Sequence, residues 1–247
     1  MSVLALPASS KPVVVLAFAS QAVATYLVFT HGHAGLWAAL SALAVSAYLA
    51  DLFTGLAHFG FDYVFPDRMP ILGPISVEFR DHHSEPTLDP SDYWVNFSKG
   101  AYASLPVSLI VCLSSLVTEE SALSFWIFCT ATGTSFWALF FHQIHSYAHM
   151  GSHLSPEEFN NRASQISALP TKKKRIKAFR ELFADEPIPP FIRFLQDFRI
   201  LLNPGVHNLH HIEFETDFSS VNGWSDPLCN LFLAPIARRL KDRSPSR

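Results

Sequence analysis

An all-α integral membrane protein of about four transmembrane helices is the fold class the sequence predicts. Three observations predict it. The 247-residue chain is 49% hydrophobic and only 16% charged, with a mean hydropathy of +0.20, which is too apolar for an ordinary soluble surface. Four apolar stretches approach the ~20 residues that carry a helix across a bilayer. The lysines and arginines fall before, between and after these stretches rather than inside them.

Taken in order, Val13–Thr30 has no charged residue. Leu36–Ala50 is apolar and continues past Asp51 to Phe59. Ala101–Val117 has no charge, and Ala122–Ile144 has none and one histidine. The spans are therefore about 13–30, 36–59, 101–117 and 122–144. Two of the runs are slightly short, so tilt or local bilayer thinning is expected. Four core helices of a soluble protein would instead show polar faces. Lys11 before the first run also fits a signal peptide, but no convincing A-x-A-like site follows it. Residues 60–100 and 145–247 form a cap, and 1–247 reads as a single domain.

Charge sets the expected topology. Of 18 lysines and arginines, Lys11 precedes the first span, Arg68, Arg80 and Lys99 lie between the second and third, and the other 14 follow the fourth. The short loops near His31–Gly35 and Thr118–Ser121 have none. The positive-inside rule then puts both termini and the cap in the cytosol. A net charge of −3 gives no basic field for nucleic acid. Cys112, Cys129 and Cys229 are far apart, with no CxxC or disulfide framework.

Eight of the 12 histidines form four short clusters: His58, then His82 and His83, then His145 and His149, then His207, His210 and His211. All eight fall at or beyond the cytosolic ends of spans two and four. His31 and His33 fall on the opposite side and serve as controls. Imidazole ligates iron, copper and zinc, and its neutral form brings no charge to be desolvated near a bilayer. So many ligands exceed the need of one four-coordinate metal and point to a two-metal cap. Asp51, Gly55, His58 and Asp62 share one helix face. The i, i+3, i+4 spacing of His207, His210 and His211 does the same. "HSYAH" lacks the glutamate of a zinc-protease HExxH. Asp51, inside a span, is costly unless partnered. It is assigned to orienting His58 through its other ring nitrogen, with a helix-packing hydrogen bond as the alternative. Asp62 reads as an outer-shell acid or a helix-end residue.

"DLFTGLAHFGFD", "FRDHHSEP", "HQIHSYAH" and "HNLHH", with the later "GW", resemble the lipid desaturase family of plasmanylethanolamine desaturases, from about Asp51 to Leu228. The resemblance implies a membrane enzyme with two irons, molecular oxygen as oxidant and cytochrome b5 as electron donor. By motif, the ligands it implies are His58, His82, His83, His145, His149, His207, His210 and His211; Asp51 and Asp62, read above from their positions, are the candidate supporting acids. It implies a membrane lipid substrate, formation of the vinyl-ether bond of plasmalogens, and residence in the endoplasmic reticulum. His142 departs from the family pattern and reads as outer-shell or incidental, and His153 flanks the same motif. The sibling reading is desaturation or hydroxylation of another acyl or sphingoid chain. The reading from a different class is a histidine-rich metal transporter, but only Asp51 lies deep in a span and no repeat is evident.

Two further segments have a local reading. Ser155-Pro156-Glu157-Glu158 is a capping box with proline at the first helical position. The run Lys172–Arg175 is either a lipid-headgroup attractor or a solvated face. In "PPFIRFLQDFRILLNPG", apolar residues at helical spacing predict an interfacial helix or a core helix of the cap.

Overall fold

A computed structural model describes residues 10–31, 35–84, 88–149, 154–182, 184 and 188–243. The described residues hold ten α-helices and no strand. They are α1 (Ser10–His31), α2 (Leu36–Phe59), α3 (Leu72–Ser84), α4 (Tyr93–Ser115), α5 (Ala122–Ala148), α6 (Pro156–Ser167), α7 (Lys172–Leu182), α8 (Pro190–Asp197), α9 (Pro204–Glu213) and α10 (Asp226–Arg243). A π-helical turn, Gly60–Val64, continues α2. Four helices are long and apolar enough to cross a membrane: Ser10–Thr30, Leu36–Val64, Tyr93–Ser115 and Ala122–Ala148. The chain is an all-α membrane protein. His33 and His153 lie outside the described residues.

The chain divides into two compact units. One comprises residues 2–50 and 91–143. It packs as membrane helices do, through small residues and hydroxyls rather than large apolar groups. Ser20 and Ser108 share a hydrogen bond of 2.7 Å, and Ser104 and Ser135 one of 3.0 Å. Gln21 Nε2 donates to the Thr132 carbonyl at 3.0 Å. A Cβ on Gly100 would strike the Leu139 carbonyl, so that close approach needs glycine. Large side chains such as Leu16, Tyr26, Trp37 and Leu113 point outward. This is the inverse of a soluble core and suits a lipid solvent.

α4 begins at Tyr93 rather than near Ala101. Asp92 caps it by accepting from the Val95 N–H. Its polar first turns are satisfied internally, with Asn96 Nδ2 donating to Gln143 Oε1 at 3.1 Å. A search for uncharged runs stops at Lys99 and misses a polar helical start that tertiary partners neutralise.

The other unit comprises residues 51–90 and 144–247. Its core gathers Phe159, Ile166, Phe179 and Leu209 from α6, α7 and α9. The capping box forms as predicted, with Ser155 Oγ accepting from the Glu158 N–H and the Glu158 carboxylate accepting from the Ser155 N–H. Asn203-Pro204-Gly205 both stops the α8 segment and starts α9, because the Asn203 side chain accepts from the Gly205 and Val206 N–H groups. A Cβ on Gly205 would strike the Ile176 carbonyl, so α9 lies tight against α7. The basic run is partly spent inside this unit, where Lys172 pairs with Asp217 and Arg175 with Glu213. In α8, Gln196 is buried, whereas Phe191 and Phe194, with Phe198 just past its end, stand exposed. That outward apolar face fits the interfacial reading and not the core-helix one.

Candidate metal centre

All eight clustered histidines converge in the second unit, together with Asp62. They form two groups whose ligand atoms each lie within 4.8 Å of one another. One group is His82, His145, His149, His207 and His211, and the other is His58, Asp62, His83 and His210. The groups are neighbours, since the His83 and His211 rings are 4.6 Å apart.

Helical geometry deals the ligands between the groups. Adjacent residues on a helix point about 100° apart. His82 therefore serves the first group and His83 the second, though both sit in the last turn of α3. On α9, His207 and His211 are one turn apart and share the first group, while His210 turns to the other. His145 and His149 come together from the end of α5 in the same way. Asp62 lies four residues after His58, on the π-helical turn. Such turns re-aim side chains at functional sites.

The distances are those of ligands around cations. His149 Nε2 is 2.8 Å from His82 Nε2, 2.8 Å from His145 Nε2 and 2.7 Å from His207 Nε2. A ring nitrogen carries at most one proton, so it cannot hydrogen-bond to three such partners at once. Lone pairs directed at one ion explain the arrangement, because nitrogens ~2.1 Å from a metal stand about 3 Å apart in adjacent positions. In the second group, His58 Nε2 is 3.3 Å from His83 Nε2 and 3.2 Å from His210 Nε2. Asp62 Oδ2 is 3.4 Å from His58 Nε2, and Oδ1 is 3.2 Å from His83 Nε2.

Two further observations fit a metal. Both Asp62 oxygens are buried without a hydrogen-bond partner, a costly state unless a cation faces them. His58 Nδ1 lies 2.9 Å from the Phe218 carbonyl and His210 Nδ1 2.6 Å from the Thr216 carbonyl. A carbonyl only accepts, so each Nδ1 carries the proton and each Nε2 presents its lone pair to the site. The donor set of imidazoles with one carboxylate suits iron, copper, nickel or zinc. No cysteine joins either group.

The structure corrects the expectation for Asp51. Its carboxylate does not touch His58. Oδ1 accepts from the N–H groups of Val221 (3.2 Å), Asn222 (2.8 Å) and Gly223 (3.0 Å). Oδ2 accepts from the N–H and hydroxyl of Ser225, both at 2.8 Å. Five donors saturate it, and the Phe218 carbonyl takes the place at His58 that Asp51 was expected to fill. Asp51 thus acts on His58 only through the turn it holds. Asp62 is also closer to the chemistry than an outer-shell acid, because its oxygens are among the candidate ligand atoms. His142 belongs to neither group. The carbonyls of Thr216 and Phe218 were invisible to sequence reasoning, since any residue supplies one.

Burial keeps the ligands uncharged. Desolvation holds His83 and His210 down to about 4. Burial, reinforced by neighbouring imidazoles, keeps His149, His207 and His211 well below the usual histidine range. An unfolded chain binds these protons near pH 6.5, whereas the folded metal-free chain resists them, His83 and His210 until about pH 4. Stability is therefore complete above pH 6.5 and falls as pH drops toward 4, by up to about 1.4 kcal/mol per pH unit for each group. Thermal unfolding of metal-free protein in detergent should show a lower midpoint at pH 5 than at pH 7.5. An equal or higher midpoint at pH 5 would contradict the buried, neutral cluster.

The lipid desaturase domain matches residues 47–176, more than half of the chain. The chain belongs to the lipid desaturase family. Five of the eight clustered histidines lie inside the matched segment. A plasmanylethanolamine desaturase from Myxococcus xanthus is 26% identical over 233 residues, covering 92% of this chain and 69% of that protein. No solved structure gives a significant match. The protein is thus a membrane-embedded oxidoreductase that acts on a lipid, with histidine clusters able to hold metal. Two compact ligand groups in a desaturase leave no ground for the transporter reading.

Proposed function

We propose that this lipid desaturase holds two irons and forms the vinyl-ether double bond of plasmalogens from an alkyl-ether phospholipid. The observation that carries the reading is the convergence of eight histidines and Asp62 into two adjacent groups, in a chain similar to a relative named for that activity. The reaction removes one hydrogen from each of the first two carbons of the alkyl chain, the one bonded to the ether oxygen and the one after it. Oxygen accepts these hydrogens with two further electrons and two protons, giving two waters. Iron held by the two groups would supply the oxidising power that an unactivated carbon requires.

The chain's own residues prepare that chemistry. The Thr216 and Phe218 carbonyls lock His210 and His58 in the ligating tautomer. Asp62 gives one group a negative charge that the all-histidine group lacks, so the two sites differ in character. Aromatic side chains wall the ligands from water, with Phe79 5.3 Å from His58, Phe214 5.0 Å from His83 and Phe218 5.2 Å from His210, ring to ring. In this reading, the site faces the cytosol of the endoplasmic reticulum, where cytochrome b5 delivers electrons. Positive charge before span one, between spans two and three, and after span four supports that orientation.

The test is lipid analysis of cells lacking their own activity, supplied with an alkyl-ether precursor and expressing this chain. Vinyl-ether phospholipid is the expected product. A changed acyl-chain double bond without any vinyl ether would move the substrate to the sibling class. Purified protein should carry two irons per chain, and zinc alone would remove the oxygen-dependent mechanism.

A further inference from the structure

Away from the histidines, the second unit contains a cavity of about 210 Å³ with charged and amide side chains among its lining. Arg199, Asn222, Gly223, Val206, Lys172 and Asp226 are among its lining residues. It is smaller than the ~300–1,000 Å³ that takes a whole drug-sized ligand, and suits a headgroup alone. Asn222 is only 3% exposed, yet its Nδ2 has no hydrogen-bond partner. Its Oδ1 is engaged, accepting from the Trp224 N–H at 2.9 Å. A buried donor left open is rare and calls for an explanation. Arg199 has no ion pair among the described residues. Its backbone is left-handed, at φ 55°, and the Trp224 Nε1–H donates to its carbonyl at 2.8 Å. Strained backbone of this kind persists at ligand clamps.

The charge balance favours an anion. Lys172 and Asp217 offset each other at 2.6 Å, and Asn230 Nδ2 also donates to Asp217. Burial and the nearby Asp217 push the Asp226 carboxyl up to about 8, so it is neutral near pH 7. Arg199 then leaves a net positive charge. Phe198 and Ile200, which flank Arg199 in sequence, and Trp224, which follows Gly223, are exposed. Aromatic residues next to cations mark the headgroup level of a bilayer. Val206 lines the cavity one residue before His207, so cavity and metal centre share the first turn of α9.

We propose that this cavity binds the phosphodiester headgroup of the lipid substrate, with Arg199 and Asn222 Nδ2 as its donors. The inference rests on the reading of the protein as a lipid desaturase and deepens it. In an ether phospholipid, only a few bonds of glycerol separate the phosphate from the ether oxygen. A headgroup seated beside α9 places the first carbons of the alkyl chain, rather than its middle, near the metal ligands. Vinyl-ether formation requires that placement.

Full-length protein in detergent is titrated calorimetrically with dihexanoylphosphatidylethanolamine, dihexanoylglycerol and inorganic phosphate. The phospholipid should bind at least about tenfold more tightly than either comparator, as expected for hydrogen bonds to a charged group. Arg199→Gln and Asn222→Asp should each weaken it by about tenfold. The aspartate keeps the oxygen that Trp224 needs and replaces the donor with an anion. The exposed Arg238→Gln is the control and should bind as wild type. If Asn222→Asp unfolds, Arg199→Gln decides, since its side chain lies on the surface. Equal binding of dihexanoylglycerol, equal binding of inorganic phosphate, or undiminished binding by Arg199→Gln would each overturn the headgroup site. Failure of the two ideas is separable. Wild type that binds the phospholipid but makes no vinyl ether keeps the cavity and loses the plasmalogen reading. Vinyl ether made by Arg199→Gln with an unchanged KM does the reverse.

Discussion

His149→Ala is expected to abolish lipid desaturation, with a loss of at least about a hundredfold at equal expression, and to empty the five-histidine group of metal. Its Nε2 approaches three other ligand nitrogens at 2.7–2.8 Å, so no neighbour fills the gap it leaves. Changing outer-shell partners alone costs 10–100-fold in affinity or activity, and removing a ligand costs more. His82, His145, His207 and His211 should behave alike. His58, His83 and His210 should instead empty the second group, and so should Asp62→Ala. Iron analysis of each variant checks the division, with a fall from two metals per chain toward one in both series. His31→Ala, at the end of α1, is expected to remain close to wild type. Equal inactivity of His31→Ala and His149→Ala, at matched folding, would overturn the site.

Asp51→Ala is expected to cost about 4 kcal/mol or more of stability and to disable the metal centre without touching a ligand. The change strands four backbone N–H groups, each worth about 1–3 kcal/mol when left unpaired, though not additively, while the Ser225 hydroxyl keeps Ser219 as a partner. A loss of that size is a large part of a domain's stability. The turn from Val221 to Ser225 would lose its anchor, and the preceding Phe218 carbonyl would no longer fix His58. Asp51→Asn retains one oxygen and should fall between the two. Thermal unfolding and iron content together give the test. A midpoint within a degree or two of wild type for Asp51→Ala would show that the carboxylate does not hold the turn. Normal stability with dead chemistry would return Asp51 to a direct catalytic role.

Periodicity, charge and histidine spacing made much of this protein legible in one dimension. Four apolar stretches announced the membrane helices, because crossing hydrocarbon demands a long uninterrupted run. The capping box at Ser155 was readable because its donors and acceptors are three residues apart. Clustered imidazoles announced side-chain groups that could hold metal, since side chains of that chemistry rarely gather otherwise. The start of α4 was not legible, because Asn96 needs Gln143 to become tolerable there. Nor was the fate of the α8 segment, where helical spacing alone does not say whether Phe191 and Phe194 face a core or a bilayer.

The sequence by itself determined the kind of candidate ligand, the helices that carry them and the class of fold, all of which follow from local composition and period. Only the tertiary structure decided how eight histidines divide into five and three, that Asp62 joins the smaller group, and that Asp51 grips a turn 170 residues away instead of His58. Those outcomes depend on backbone N–H and carbonyl groups, which every residue carries. Which of them meet is set by how the helices pack, and no side-chain pattern records it.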